Sequence, residues 1–475
     1  MKILIALVSL LVFSSGAFAQ TLEERLQNLE ESLKKQERTI QELKTLQKTV
    51  KRQEQTIEEQ RKVIEQLKAG GQQPQPSTAA AAQTAAPERV QQEVRELKEK
   101  VDEVSKAQQK DIPSVFNPAI GLVGETIFSY RSKGSAATGS DRPGGFDVNQ
   151  RSVELDLAAS IDPFAKAYAV INASADPITG EATLGVEEAA LVTTSLPWNL
   201  ELKAGRFFAE FGRFAYFHDH ELPFVNRPLV LDGYIGGESR TDGAQLNYLL
   251  PIPHYVSLTL GVGDQFGGDN PPNDVGNFRQ FKNLNFWGRT STYFDLTPEV
   301  SFETGISGLW NPKTKSRGDP IVQADGSTLT ERERGLAGAD FTVSYKPLQS
   351  NQFQSLTWGT EVLFSNNRFD VAPTDSDVFQ RSIESYGLYS YLTYKFHREW
   401  SAGFLFDWVE SARNDKDRTF GYSPYITWSP SHWSQLRLQY THTQPNAISG
   451  LSPDDAVYMQ WTWIIGSHAH GWQAR

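Results

Sequence analysis

The stretch that decides the fold is SVELDLAASI, residues 152–161. Its side chains alternate, with Val153, Leu155 and Leu157 on one face and Glu154 and Asp156 on the other. Successive side chains of a β-strand point to opposite faces, so this pattern predicts a strand with one apolar and one polar face. The same alternation recurs in SQLRLQYT, residues 434–441, and in VYMQWTWII, residues 457–465.

About sixteen such segments follow residue 118 by the alternation rule. We predict that they start near residues 120, 150, 164, 182, 199, 243, 255, 283, 299, 335, 355, 383, 399, 418, 434 and 455. Short connections such as DPFA and SLPWN alternate with long polar ones such as GDQFGGDNPPNDVGNFRQ. This rhythm is typical of a transmembrane β-barrel. A soluble sandwich or propeller is the alternative, but the sequence has no repeat of blade length.

The fold class is therefore an all-β transmembrane barrel of about sixteen antiparallel strands, preceded by an α-helical coiled coil. Residues 1–19 have the basic start, short apolar run and Ala17-Phe18-Ala19 ending of a signal peptide. Residues 20–68 carry leucines and isoleucines at coiled-coil spacing, and residues 69–87 form an Ala/Pro/Gln/Gly linker. A second short coiled-coil helix is predicted over 88–110, and the barrel over 118–475.

The composition excludes several classes of function. The chain has no cysteine, which rules out disulfides, thiolate metal ligands and a cysteine nucleophile. Its net charge of −11 argues against a nucleic-acid partner. The motif G-x-S-x-G is absent and no other nucleophile motif is present, so we expect no enzymatic activity. A receptor with a plug domain needs a barrel of about 22 strands, which is more than residues 118–475 supply.

The export signal, strand number and loop rhythm resemble those of a bacterial outer-membrane porin. An N-terminal coiled coil ahead of a barrel is similar to families related to the phosphate-selective porins. The stretch from VEEAALVTTSLPWN to TDGAQLNYLLP, residues 186–251, resembles a family described as zinc-regulated outer-membrane receptors. The resemblance implies a homotrimeric outer-membrane porin for passive diffusion of small hydrophilic solutes or ions, with its coiled coil in the periplasm.

Two alternatives remain open at this stage. One is an uptake channel for a divalent metal such as zinc, or for an anion. The other is an envelope tether, in which the coiled coil binds a periplasmic or cell-wall partner and the barrel anchors it in outer-membrane lipid.

The most unusual composition lies in GRFFAEFGRFAYFHDHELPFVNRPLV, residues 205–230. It belongs to the third long external loop, about residues 209–240, and in sixteen-strand porins this loop folds into the lumen and narrows it. We expect its aromatics to pack on the wall and its charges to set a transverse field across the pore. The predicted constriction residues are Arg213, Arg227, Arg240, Glu210 and Asp232.

The alternation also predicts which charges of the strands face the lumen. The inward acids are Glu154, Asp156, Glu201, Glu303, Asp340, Glu361 and Asp407, and the inward bases are Lys203, Arg289, Lys395 and Arg437. Because acids outnumber bases, we expect weak cation preference or little selectivity.

The tetrapeptide His218-Asp219-His220-Glu221 is a candidate zinc site. On an extended segment both imidazoles point the same way, and Asp219 or Glu221 would add an oxygen ligand. The alternative is a polar loop tip in which histidines and acids bond to each other. His468 and His470 form a second pair on the periplasmic side. No other cofactor is expected.

Overall fold

The computed structural model describes residues 119–140, 142–268, 280–314, 321–322, 326–348, 353–373 and 377–466. The predicted signal peptide, both coiled-coil helices, the linker and the His468/His470 pair lie outside these residues. In the part of the chain that is described, no helix is long and apolar enough to cross a membrane.

The described chain is almost entirely β-sheet. Its strands are β1 (Ala119–Arg131), β2 (Gly145–Asp162), β3 (Ala165–Ala175), β4 (Ala182–Thr193), β5 (Leu200–Phe208), β6 (Arg240–Leu249), β7 (Tyr255–Gly263), β8 (Asn285–Thr297), β9 (Val300–Asn311), β10 (Ile321–Val322), β11 (Thr328–Tyr345), β12 (Ser355–Ala372), β13 (Phe379–Lys395), β14 (Trp400–Ser411), β15 (Asn414–Ser431), β16 (Ser434–Pro445) and β17 (Asp454–Gly466). Two short α-helices, α1 (Ser135–Thr138) and α2 (Leu229–Ile235), lie in connections. Single 3-10 turns occupy Pro197–Asn199, Asp219–Glu221 and Phe281–Asn283.

The sheet closes on itself. Each strand pairs antiparallel with the next, and β1 pairs with both β2 and β17. The two-residue β10 pairs with β11, while β9 pairs directly with β11, so the other sixteen strands make the barrel. Closure removes the two free edges that an open sheet of these sixteen strands would have. The predicted barrel of about sixteen antiparallel strands is confirmed.

The barrel has a polar interior face and an apolar outer face. Glu125, Glu361 and Gln460 are fully buried on the interior face, whereas Ile306 is 69% exposed and Trp461 44% exposed on the outer face. A soluble barrel shows the opposite arrangement, with its apolar side chains inside. The alternation in the sequence therefore corresponds to polar side chains that point into the barrel and apolar side chains that point outward, where they suit an apolar medium.

Several strands begin earlier than the alternation predicts. The start expected near residue 335 lies at Thr328, and the start expected near 383 lies at Phe379. In TLTERER, residues 328–334, Leu329 is the one apolar residue, so the alternation signal is lost while the backbone pairing continues. The long strands thus extend past the apolar belt at one end of the barrel.

The two rims differ as the sequence predicts. At the short-turn rim, β2 connects to β3 and β15 to β16 through two residues each, 163–164 and 432–433. Outward aromatics mark this rim, among them Trp198, Tyr255, Trp400 and Trp433. Trp400 stacks on Trp428 with ring centroids 6.0 Å apart. The opposite, long-loop rim carries the longest connection, residues 209–239 between β5 and β6, which we call the interior segment.

Candidate functional site in the barrel interior

The interior segment lies inside the barrel, where polar side chains of the wall accept its backbone N–H groups. Such groups need partners because the segment belongs to no sheet. The pairs are Glu210 N to Gln245 Oε1 of β6 at 2.9 Å, Gly212 N to Ser307 Oγ of β9 at 2.9 Å, Val225 N to Gln439 Oε1 of β16 at 2.7 Å, and Leu229 N to Asp407 Oδ1 of β14 at 3.1 Å. These strands lie far apart around the barrel, so the segment crosses the lumen.

Aromatic side chains hold the segment against the wall. Phe214 lies at the centre, with its ring centroid 5.6 Å from that of Phe224 and 5.2 Å from that of Tyr391 in β13. Phe211 packs edge-on against Phe266 at 5.6 Å. The buried apolar cluster contains side chains of both the segment and the wall. The aromatics that the sequence singled out therefore form an apolar core inside the barrel, together with apolar side chains of the wall.

Arg213 joins the segment to a wall carboxylate. Its Nη1 lies 3.1 Å from Glu303 Oε1 of β9, and its backbone N–H donates to Glu361 Oε2 of β12 at 3.2 Å. The preceding residue, Gly212, has φ of +60°, and a Cβ there would collide with the Glu361 carboxylate. Glycine thus allows the backbone to approach the wall. Glu210 also contacts the wall, accepting a hydrogen bond from the Thr259 hydroxyl at 3.0 Å.

Arg227 does not face a wall carboxylate. It is buried, and its guanidinium donates to the backbone oxygens of Phe214 and Phe217, both at 2.8 Å. It also pairs with Asp219 at 2.7 Å and Glu238 at 3.1 Å, which belong to the same segment. Arg227 therefore fixes the fold of the segment, because its five donors satisfy groups that have no sheet partner.

The other two predicted constriction residues lie in different surroundings. Arg240 is the first residue of β6, is exposed, and shares the outer face with Leu246, so its expected place in the constriction is wrong. The prediction failed because the segment ends at Ser239, and the alternation of β6 then directs residue 240 outward. Asp232 is exposed on α2 and lines a cavity inside the barrel.

The eleven charged wall positions all lie on the interior face. Arg289 and Asp340 form a buried pair with Nη1–Oδ2 at 2.5 Å. Arg437 donates to Gln460 Oε1 at 2.7 Å and to Thr427 Oγ1 at 3.1 Å. Lys203 lies over the ring of Phe207, with Nζ 5.4 Å from the centroid. The remaining positions alternate with outward residues in their own strands and so point inward too. They are Glu154, Asp156, Glu201, Glu303, Glu361, Lys395 and Asp407.

His218 and His220 come together on one wall carboxylate. His218 Nδ1 lies 3.3 Å from Glu154 Oε2, and His220 Nδ1 lies 3.3 Å from Glu154 Oε1. All three side chains are buried. Burial alone lowers the pKa of each histidine, but the charge of Glu154 and its hydrogen bonds outweigh burial and raise both above the usual value. The imidazoles share a direction even though Asp219–Glu221 is a 3-10 turn rather than an extended segment.

The carboxylate that faces the two histidines is Glu154, and not Asp219 or Glu221 of the tetrapeptide. Asp219 pairs with Arg227 at 2.7 Å and lies 3.7 Å from Arg151 Nη1, and Glu221 accepts its hydrogen bond from the backbone of His218. Neither carboxylate is among the grouped donor atoms of Glu154, His218 and His220, which all lie within 4.8 Å of one another. The expectation that Asp219 or Glu221 completes the site is wrong, because Asp219 pairs with Arg227 and Arg151, and Glu221 accepts from the backbone of His218.

Two acids that the sequence analysis did not select complete this cluster. Glu188 Oε1 lies 3.0 Å from His218 Nε2, and Glu187 Oε2 lies 3.8 Å from His218 Nδ1. These neighbours in sequence share the interior face because the register of β3 and β4 shifts there by one residue, pairing Val170 with Glu188 and Ile171 with Val186. The adjacent glutamates in VEEAALV break the alternation, which is a signal that could have found this bulge.

Two of the cavities beside the segment are lined by residues of the stretch 223–229. The larger, about 640 Å³, opens toward the long-loop rim and is lined by Arg131, Arg142, Arg151, Asp219, Arg227, Asp232, Glu238, Asp407 and Asp454 among others. The smaller, about 190 Å³, lies toward the short-turn rim and is lined by Pro223, Lys395, Arg398, Glu399, Tyr425 and Arg437 among others. Between them, Val225 is fixed by Gln439 and by Arg151, whose Nη1 donates to its backbone oxygen at 2.7 Å.

Comparisons with known proteins give relatives of limited similarity. No family model matches the chain. An uncharacterized protein of Aquifex aeolicus is 26% identical over 348 residues, which cover 68% of this chain and 69% of that protein. Among solved structures, OprB of Pseudomonas putida has a TM-score of 0.47 at 12% identity, covering 74% of this chain and 94% of its own. An anion-selective porin of Comamonas acidovorans has 0.46 at 10%, covering 74% and 99%. Similarity at this level identifies no solute for this chain.

Proposed function

We propose that this protein is a porin of the bacterial outer membrane, through which small hydrophilic solutes or ions diffuse passively. One observation carries the proposal: a closed sixteen-strand barrel has apolar side chains on its outer face and charged side chains on its interior face. The outer face suits lipid hydrocarbon, and the interior suits water. The short-turn rim would face the periplasm, and the long-loop rim would face outside.

We place the narrowest part of the path at residues 223–229 of the interior segment. The larger cavity lies on the external side of these residues and the smaller cavity on the periplasmic side. Within this stretch, the backbone N–H groups of Val225 and Leu229 donate hydrogen bonds to Gln439 and Asp407 of the wall. A solute passing between the cavities has to move along the wall of β14 to β16, beside the hydrogen bonds that Gln439 and Asp407 accept from the segment.

The charges along this path favour weak selectivity. In the larger cavity, most of the basic groups are neutralised nearby, as in the pairs Arg131–Asp454 at 2.5 Å and Arg227–Asp219 at 2.7 Å. Paired charges leave a smaller net field along the path than separated rings of one sign. Since inward acids of the wall outnumber inward bases, the expected bias is a mild preference for cations.

The test is the reversal potential of the purified protein in a planar bilayer under a KCl gradient. Asp232→Asn removes one negative charge from the larger cavity and should shift the reversal potential toward anions. Arg240→Gln is the matched control, because it removes a charge from the outer face of β6. Open-channel steps with these two results support the proposal. An equal shift in both variants would contradict the proposed path, and a protein that never conducts would favour the envelope tether.

A further inference from the structure

We propose that Glu154, His218 and His220 form a binding site for a divalent transition-metal ion such as Zn²⁺, which fastens the interior segment to β2. The three residues offer two imidazole nitrogens and a carboxylate from two different parts of the chain, with donor atoms within 4.8 Å of one another. Two histidines and one carboxylate are a ligand set that Zn²⁺ accepts.

The spacing of the donor atoms fits one ion. Each histidine Nδ1 lies 3.3 Å from an oxygen of Glu154. Two ligands bound tetrahedrally to Zn²⁺ at about 2.0–2.2 Å are separated by roughly 3.3–3.6 Å. Each histidine Nδ1 is therefore already at a ligand–ligand distance from a Glu154 oxygen, and the two histidines face different oxygens of that carboxylate.

The groups that contact the other ring nitrogen of His218 give independent support for the site. The second nitrogen of His218, Nε2, faces Glu188 Oε1 at 3.0 Å. Glu188 is itself held by the Tyr168 hydroxyl at 2.8 Å and the backbone N–H of Phe208 at 3.2 Å. A carboxylate on the far nitrogen of a metal-binding histidine fixes its tautomer and orientation. The bulge in β4 also brings Glu187 within 3.8 Å of His218 Nδ1, where its carboxylate is a candidate fourth ligand.

The protonation of this cluster predicts how the affinity for a metal ion depends on pH. A neutral imidazole has one N–H, yet both nitrogens of His218 face carboxylates. One arrangement puts two protons on the ring; another leaves the Nδ1 lone pair to bind a cation while Nε2–H donates to Glu188. Nδ1 of His220 also faces Glu154, and a single proton on that nitrogen makes the contact. A Zn²⁺ ion therefore competes with as many as two protons, and its binding releases them.

The test is zinc binding by the full-length protein in detergent, titrated against a fluorescent chelator. His468→Gln and His470→Gln are introduced in every sample, because these two histidines lie outside the described residues and are further potential zinc ligands. His218→Gln should weaken binding at least 100-fold, and Glu188→Gln about 10- to 100-fold. His442→Gln is the matched control, because His442 lies in β16 and faces Asp455 at 2.8 Å.

The pH dependence separates a metal site from a protonated cluster. Below the histidine pKa values, affinity should rise about 10-fold per pH unit for each proton released, so as much as 100-fold for two. Equal affinities in His218→Gln and His442→Gln, both with barrel-like circular dichroism, would overturn the proposal. So would an absence of stoichiometric binding in the parent protein. These measurements need no conductance, so their failure and that of the proposed channel are distinguishable.

Discussion

Replacing Phe224 with alanine should release the interior segment without opening the barrel. Phe224 is completely buried, and its ring centroid lies 5.6 Å from that of Phe214, 6.1 Å from that of Tyr391 and 6.5 Å from that of Tyr425. None of the paired backbone positions of the sheet belongs to residues 209–239. The lost packing therefore weakens the docking of the segment rather than the pairing of the strands.

The magnitude follows from the burial. Removing a buried Phe ring from a packed core costs about 3–5 kcal/mol. At about 1.4 kcal/mol for each factor of ten, the equilibrium between docked and released segment should shift by roughly 10²- to 10³·⁵-fold. Hydrogen exchange of peptides within residues 209–239 should accelerate by a similar factor where it proceeds through undocking. Bilayer recordings should show more frequent excursions to a higher conductance level.

The control is Phe404→Ala, because Phe404 is 44% exposed on the outer face of β14. This change also removes a Phe ring, but one that does not touch the segment. Exchange in residues 209–239 should match the parent protein. If both variants exchange at the same rate, the aromatic cluster does not hold the segment in the lumen, and the reasoning fails.

Two further outcomes are expected. With metal removed by a chelator, docking of the interior segment should weaken from about pH 6.5 upward, by as much as tenfold per pH unit for each histidine. The reason is that His218 and His220 have raised pKa values when the segment is docked, so their stabilisation of the docked segment is lost as the pH rises through those values. Hydrogen exchange corrected for its intrinsic pH dependence measures this, and a flat profile would contradict the contacts with Glu154. Deleting residues 20–110 should abolish trimers while leaving conductance unchanged, as checked by sedimentation and bilayer recording; intact trimers would assign the trimer contacts to the barrel.

The barrel could be predicted because the strand pattern is local. Glu154 and Asp156 alternate with leucines, and this period does not depend on which strand lies beside it. The inward positions of Arg289, Asp340 and Arg437 follow from the same rule. The rule fails at Glu187 and Glu188, where a bulge places adjacent side chains on one face, and at the start of β11, where Leu329 is the one apolar residue of 328–334.

The partners of the interior segment were decided by the tertiary structure. The sequence indicated an unusual loop and a pair of histidines, but it placed the oxygen donor at Asp219 or Glu221, beside them in the chain. Closure of the barrel instead brings Glu154 from β2 against both histidines, and Glu303 from β9 against Arg213. Alternation fixes whether a strand side chain points inward, whereas the contacts of a loop inside a lumen depend on distant strands that only the closed sheet brings together.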